Sequence, residues 1–310
     1  MPAQIRTQSL SPGNSVLLFC ALSRPGNQRA KNDVQQMLIE ADMNESYKVA
    51  AIQMVSTPEV EQNFAAASKL VAQAAAQGAQ LVLLPEYWPI MGMHEKVKLE
   101  HAEQDSVGKI QDFMATLARE HKVWLIGGTL PLASGEEGKV LNTSLVYDPS
   151  GKRVARYDKI HLFSFVRGEE AYDEARTIVY GNDVQTFDAP FGKVGLSVCY
   201  DLRFPELYRA MGDCALIVVP AAFTYTTGEA HWELLLRARA IENQCYILAS
   251  AQGGKHVNGR RTWGHTMLID PWGDIISVLP EGEGLVIGDI DPHRLQYVRE
   301  SLPALKHRKL

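Results

Sequence analysis

The apolar positions fall into short buried runs separated by amphipathic or polar stretches. Residues 47–54, YKVAAIQM, read as a strand. Pro58 then opens a helix to about Gln77, with Phe64, Ser68, Val71 and Ala75 on one face and Gly78 as its stop. QLVLL (80–84) is a continuous apolar run, expected of a strand covered on both faces, and it closes on Pro85 and Glu86. A second helix over 109–120 and a strand over 123–130, VWLIGGTL, complete a βαβαβ order, which favours a sheet with helices packed on it.

The middle of the chain changes pattern. Residues 142–148 and 152–159, joined by Pro-Ser-Gly, read as a hairpin. Residues 164–184 are polar and aperiodic and read as a surface loop. QTFDAPFGKVGLSVCYD gives two strands about a Pro-Phe-Gly turn, and ALIVVPAAF (215–223) another buried strand. EAHWELLLRARAIENQ (229–244) reads as an amphipathic helix with Leu234, Leu235, Ala238 and Ile241 facing inward. A strand at 245–252, a hairpin turning at Asp270-Pro-Trp-Gly and a strand at 284–291 follow. The sum is one α/β domain over about 47–300, with two sheets packed together and helices outside.

Composition narrows the classes. The 310 residues carry a net charge of −5, with no Lys/Arg run that would suggest nucleic acid. No apolar run approaches the length of a membrane span. The four cysteines (Cys20, Cys199, Cys214 and Cys245) form no CxxC or Cys/His pattern, which argues against a disulfide framework or zinc ribbon and fits the reducing cytoplasm. Residues 1–46 are rich in Pro, Ser, Asn, Gln and Gly and match a signal peptide poorly. They read as a poorly ordered extension to a domain over 47–310, with Met43 a natural beginning.

Three positions attract chemistry. Cys199 stands where the strand of 193–198 meets a helix start marked by Pro205 and Glu206. It is either a small core residue or a nucleophile whose thiolate is favoured by the helix N-terminus. Glu86 follows four apolar residues and is either an exposed strand-end acid or a buried one that is paired or used. Lys159, in RYDKIHLF, is either a solvated hairpin lysine or part of a site. His161, His231, His256 and His265 stand in no diagnostic context.

The segments LVLLPEYW, YDKIHLF and VCYDLRFPEL, in that order, resemble the three motifs of the nitrilase, or carbon–nitrogen hydrolase, superfamily. The resemblance covers about 47–306 and implies a four-layer αββα sandwich, paired into homodimers or larger homo-oligomers. It implies no metal and no organic cofactor, with Glu86 as general base, Lys159 as oxyanion stabiliser assisted by the Tyr200 N–H, and Cys199 as nucleophile. Glu174, in YDEART, best matches a second glutamate found in some members, with Glu169 and Glu170 nearby. Downstream, ARAIENQCYILASAQGG, RRTWGHTMLIDPWGD and ESLPALKHRK resemble the amidase branch, specifically the deaminated-glutathione amidase and omega-amidase group, the former favoured.

The implied activity is hydrolysis of the C–N bond of a small carboxylate-bearing primary amide to acid and ammonia through a Cys thioester, with deaminated glutathione foremost. Omega-amidase, N-carbamoyl amidase and nitrilase activities are alternatives, as are a Cys-His hydrolase and a silent binding protein on the same fold. Position adds pocket candidates: Tyr87 after the base, Arg203 four residues after the cysteine, and Phe223, Thr226 and Thr227 before the 229–244 helix. Arg203 would hold a substrate carboxylate or else pair with Asp201 or Glu206.

Overall fold

The computed structural model describes residues 46–168 and 170–309. The extension expected over 1–46 therefore lies, except for Ser46, outside the described residues, as does Cys20.

Two sheets carry the fold. In the first, the strands run in the order Gly284–Ile290, Tyr47–Gln53, Leu81–Leu83, Trp124–Ile126, Val140–Tyr147 and Leu130–Ala133, with Arg153–Asp158 and Ile178–Val179 also paired to Val140–Tyr147. In the second, the order is Thr186–Ala189, Gly192–Leu196, Leu216–Ala221, Tyr246–Ala251, Thr266–Ile269 and Ile275–Leu279. The period-two alternation of strand side chains divides the first sheet cleanly. Val49, Ala51, Leu81, Leu83 and Ile126 enter the core shared with the second sheet. Their neighbours Ala50, Ile52, Val82, Leu84 and Leu125 pack instead with Phe64, Leu70, Val71, Met114 and Leu117. Those residues come from the helices Val60–Ala76 and Lys109–His121. On the other side, Leu207 and Tyr208 of the helix Pro205–Ala210 and Trp232, Leu236 and Ala240 of the helix Tyr225–Asn243 cover the second sheet. The layers are thus αββα, as expected.

Several elements differ from the sequence reading. The run 123–130 splits into two strands because the chain turns at Gly127 and Gly128. Gly128 has φ +51°, and a Cβ there would sit 2.0 Å from the Pro85 carbonyl oxygen. The segment 164–184 is structured: Ser164–Arg167 and Glu170–Asp173 pair as a small antiparallel sheet, followed by the turn of 3-10 helix Glu174–Arg176. In the helix Val60–Ala76, Ser68 and Ala75 are only half-buried, and Asn63, Ala67, Leu70 and Ala74 take the inner face with Phe64 and Val71. The largest correction falls on Tyr225–Asn243. Leu234 is 70% and Ile241 50% exposed, while Trp232, Leu236, Arg239 and Ala240 face inward. The Arg239 guanidinium is drawn in because it donates to the Leu202 carbonyl, at 3.1 Å from Nε and 2.8 Å from Nη2. That anchor rotates the helix away from the stripe its leucines suggest.

Candidate functional site

Three chain segments leave the sheets at the same end of the sandwich. After Leu81–Leu83 comes Glu86, after Arg153–Asp158 comes Lys159, and after Gly192–Leu196 comes Cys199. Each expected residue is buried. Glu86 is 1% and Lys159 0% exposed, so neither is the solvated strand-end or hairpin residue that the sequence left open. Lys159 Nζ donates to Glu86 Oε1 at 2.9 Å and to Glu174 Oε2 at 2.8 Å. Glu86 Oε1 also accepts from Asn142 Nδ2 at 2.9 Å, and its Oε2 accepts from the Ala222 N–H at 2.8 Å. The buried Cys199 thiol lies within the field of the Glu86 carboxylate, and of Lys159 and Glu174. One lysine and two carboxylates therefore surround a buried thiol, with a resting charge of −1.

Local backbone geometry holds these groups. Tyr87 and Cys199, beside and within the site, have φ of +55° and +50°. A non-glycine residue in this region is strained and persists only where its surroundings fix it. For Tyr87 the fixing bonds run from its N–H to Thr129 Oγ1 at 3.0 Å and from its hydroxyl to Glu174 Oε1 at 2.8 Å. For Cys199 the anchor is Asp201. Its Oδ2 accepts from the Val198 N–H at 2.8 Å and from Tyr157 OH at 2.7 Å, and its Oδ1 accepts from the His161 N–H at 3.0 Å. Asp201 thereby ties the cysteine turn to the segment that carries Lys159. This also settles the Arg203 alternative: among the described residues Arg203 pairs with neither Asp201 nor Glu206. Its guanidinium lies over the Tyr200 and Phe223 rings, with Nη1 3.3 Å from His231 Nδ1.

The electrostatics correct one expectation. Burial and the Glu86 carboxylate push the Cys199 thiol well above its ordinary value. The chain at Cys199–Arg203 is a turn of 3-10 helix, and the following α-helix begins only at Pro205. The helix terminus that the sequence placed at the thiol thus stands six residues on, while a carboxylate stands against it. Burial alone would lower Lys159, but Glu174 and Glu86 outweigh it and hold the ammonium charged. Glu174 is subject to the same opposition, and Lys159 together with the Phe163 N–H keeps it below its usual range.

Two connected pockets open from these groups. The inner one is lined by Glu86, Cys199, Tyr200, Arg203, Phe223 and Thr227, among others. A larger outer chamber of about 390 Å³ shares Phe163, Glu174 and Arg260 with it and extends past Tyr87, Lys98, Tyr172 and Asn258. Glu86, Lys159, Cys199 and Glu174 are thus brought together, with Tyr87, Tyr200, Arg203, Phe223 and Thr227 around them. Thr226 lies in the first turn of the helix Tyr225–Asn243, away from both linings. That helix starts four residues before the expected 229, capped by Thr224, whose side chain accepts from the Thr227 N–H. Sequence reasoning missed Asn142, the Ala222 amide and Arg260. Asn142 carried a signal, as a polar residue inside an apolar strand. Arg260 lies in an irregular loop and carried none. Among the described residues no group of His, Cys, Asp or Glu is placed to hold a metal ion, and no helix is long and apolar enough to cross a membrane.

The family profile described as carbon-nitrogen hydrolase matches residues 48–300. The chain belongs to the carbon–nitrogen hydrolase family. It is 44% identical over 269 residues to a deaminated glutathione amidase of Synechocystis, covering 84% of this chain and 98% of that protein. It is 36% identical over 267 residues to the human omega-amidase NIT2, covering 85% and 95%. Among solved structures, Saccharomyces cerevisiae Nit3, a member of branch 10 of the nitrilase superfamily, superposes with a TM-score of 0.77 at 29% identity, covering 86% of this chain and 97% of that one. The expected superfamily and fold are therefore correct.

Proposed function

We propose that residues 47–310 form one amidase domain in which Cys199 is the nucleophile, Glu86 the general base and Lys159 the oxyanion stabiliser. The observation that carries this reading is the buried contact of Lys159 Nζ with both Glu86 and Glu174, next to a buried thiol on which the Glu86 carboxylate acts. Because the thiol rests protonated, Glu86 takes its proton as Sγ attacks the amide carbon. The carbonyl electrons move onto oxygen, where Lys159 Nζ and the Tyr200 N–H receive them. Charge is conserved through this step: the oxyanion appears as Glu86 becomes neutral, so the site holds −1 before and after. Collapse expels the amine with the proton from Glu86 and leaves a thioester on Cys199. Water, deprotonated by Glu86, then releases the acid and restores the thiol.

For substrate, the relatives named deaminated glutathione amidase support that compound, and omega-amidase NIT2 supports a small 2-oxo primary amide as the second reading. A primary amide releases ammonia. Deaminated glutathione is not the primary amide expected from the sequence: its scissile bond joins a 2-oxoglutaryl group to the amine of cysteinylglycine, so it releases that dipeptide in place of ammonia. Arg203, half-buried across the inner pocket, supplies a cation for the acyl-side carboxylate. The test is turnover of deaminated glutathione, 2-oxoglutaramate, an N-carbamoyl amino acid and a nitrile by wild type and Cys199→Ala. Turnover of the first that vanishes in Cys199→Ala supports the proposal. Turnover of another compound alone discards the substrate, and activity that survives in Cys199→Ala discards the nucleophile. We further propose a cytoplasmic homo-oligomer. Its support is the free thiols of Cys199, Cys214 and Cys245 and the outward Leu234 and Ile241. Light scattering that returns a monomer mass removes the second part.

A further inference from the structure

We infer that Arg260 is a specificity-determining residue of the outer chamber, holding a carboxylate on the leaving-group side of the amide. The inference rests on the amidase reading above and adds a subsite to it. Among the described residues Arg260 forms no ion pair. Its Nη2 donates to the Ala222 carbonyl at 2.9 Å and its guanidinium lies 5.3 Å over the Tyr172 ring, but Nε is buried without a hydrogen-bond partner. A guanidinium that is positioned by one carbonyl and one ring, with no carboxylate paired to it among the described residues, is preorganised for a planar anion.

The chamber's other charges are already matched. Lys98 is paired with Glu95, and Glu174 with Lys159. His94 and Asp173 stand at the exposed rim. Arg260 thus remains as the unmatched interior cation of a cavity whose size, about 390 Å³, suits a ligand larger than a simple primary amide. Arg260 touches both pockets, whereas Arg203 lines only the inner one. With the reacting carbon at Cys199, the narrow inner pocket, about 10 Å³, has room only for the reacting group itself, and the larger parts of the substrate, the departing amine among them, extend into the chamber. A peptide-like leaving group that ends in a free carboxylate, as cysteinylglycine does, places that carboxylate within the reach of Arg260.

The decisive comparison is deaminated glutathione against the same compound with its C-terminal carboxylate converted to a carboxamide, measured on wild type, Arg260→Gln and Arg260→Lys. Wild type is expected to prefer the free acid by about tenfold to a hundredfold in kcat/KM, expressed mainly in KM, as one charge-assisted contact allows. Arg260→Gln should bring the ratio close to one, and Arg260→Lys should restore part of it. A merely structural arginine would lower both substrates together and keep their ratio. No preference in wild type, or a preference that persists in Arg260→Gln, overturns the inference. If wild type hydrolyses neither compound, the amidase reading fails separately. The same two compounds titrated onto Cys199→Ala protein, with and without Arg260→Gln, then decide the subsite by binding alone.

Discussion

Replacing Glu174 with glutamine probes the site without changing its shape. The carboxylate accepts from Lys159 Nζ on both oxygens, at 3.0 and 2.8 Å, from Tyr87 OH at 2.8 Å and from the Phe163 N–H at 2.7 Å. Every partner is a donor. Glutamine keeps one acceptor oxygen and turns its NH2 against donors on the other side, so about half of the set is lost. Two bonds to a charged group, at about 1.5–3 kcal/mol each, set the loss at roughly 3–6 kcal/mol of folding stability. Glu174 sits below its ordinary value of 4.5, so its contribution is present in full above that pH and fades as pH falls through the folded value. The gap between wild type and Glu174→Gln in urea melts should therefore be constant from neutral pH down to about 5 and close in stronger acid. Turnover should suffer as well. Lys159 loses one of its two buried partners, and one mispositioned oxyanion donor costs about a hundredfold in kcat. A variant with unchanged urea midpoint and kcat within about twofold of wild type would refute this account of the charge cluster.

Other expectations can be checked more simply. The rate of Cys199 carboxamidomethylation by iodoacetamide should still be rising at pH 9.0, the ordinary thiol value, because burial and Glu86 hold the folded thiol above it; a plateau near neutrality contradicts the placement of Glu86. Gly128→Ala should lower stability by about 2–3 kcal/mol in a thermal melt, since its Cβ meets the Pro85 carbonyl at 2.0 Å and neither backbone can yield without moving Glu86. Tyr157→Phe removes a donor from the buried Asp201 carboxylate and should cost about 1–3 kcal/mol, with kcat reduced because the Cys199 turn loses one of its ties to the Lys159 segment, the His161 N–H remaining.

Two parts of the site that were legible in the sequence share a cause. Glu86 and Cys199 each follow a strand whose apolar pattern is plain, so their burial could be anticipated from the local run, whereas Lys159 follows the polar strand RVARYD and was legible only through the motif resemblance. Their partners could not be anticipated in the same way. Asn142 reaches Glu86 only because sheet pairing brings two strands into one register, and the Ala222 amide reaches it from the opposite sheet. The thiol shows the same limit. Read locally, Cys199 looks toward a helix start, whereas in the fold the charge that acts on it most strongly is a carboxylate 113 positions earlier in the chain. The helix Tyr225–Asn243 misled for a related reason. Its leucines suggest one inner face, but the Arg239 bonds to Leu202 and the burial of Trp232 select another. That outcome depends on tertiary contacts with no counterpart in the helix's own periodicity.

If Cys199 carries the acyl group, rapid-quench intact-mass analysis of the enzyme mixed with deaminated glutathione should show a transient mass increase equal to one 2-oxoglutaryl group, mapped by digestion to Cys199 and absent from Cys199→Ala. Steady turnover with no adduct at any time, or an adduct that maps to Cys214, Cys245 or another residue, would contradict it.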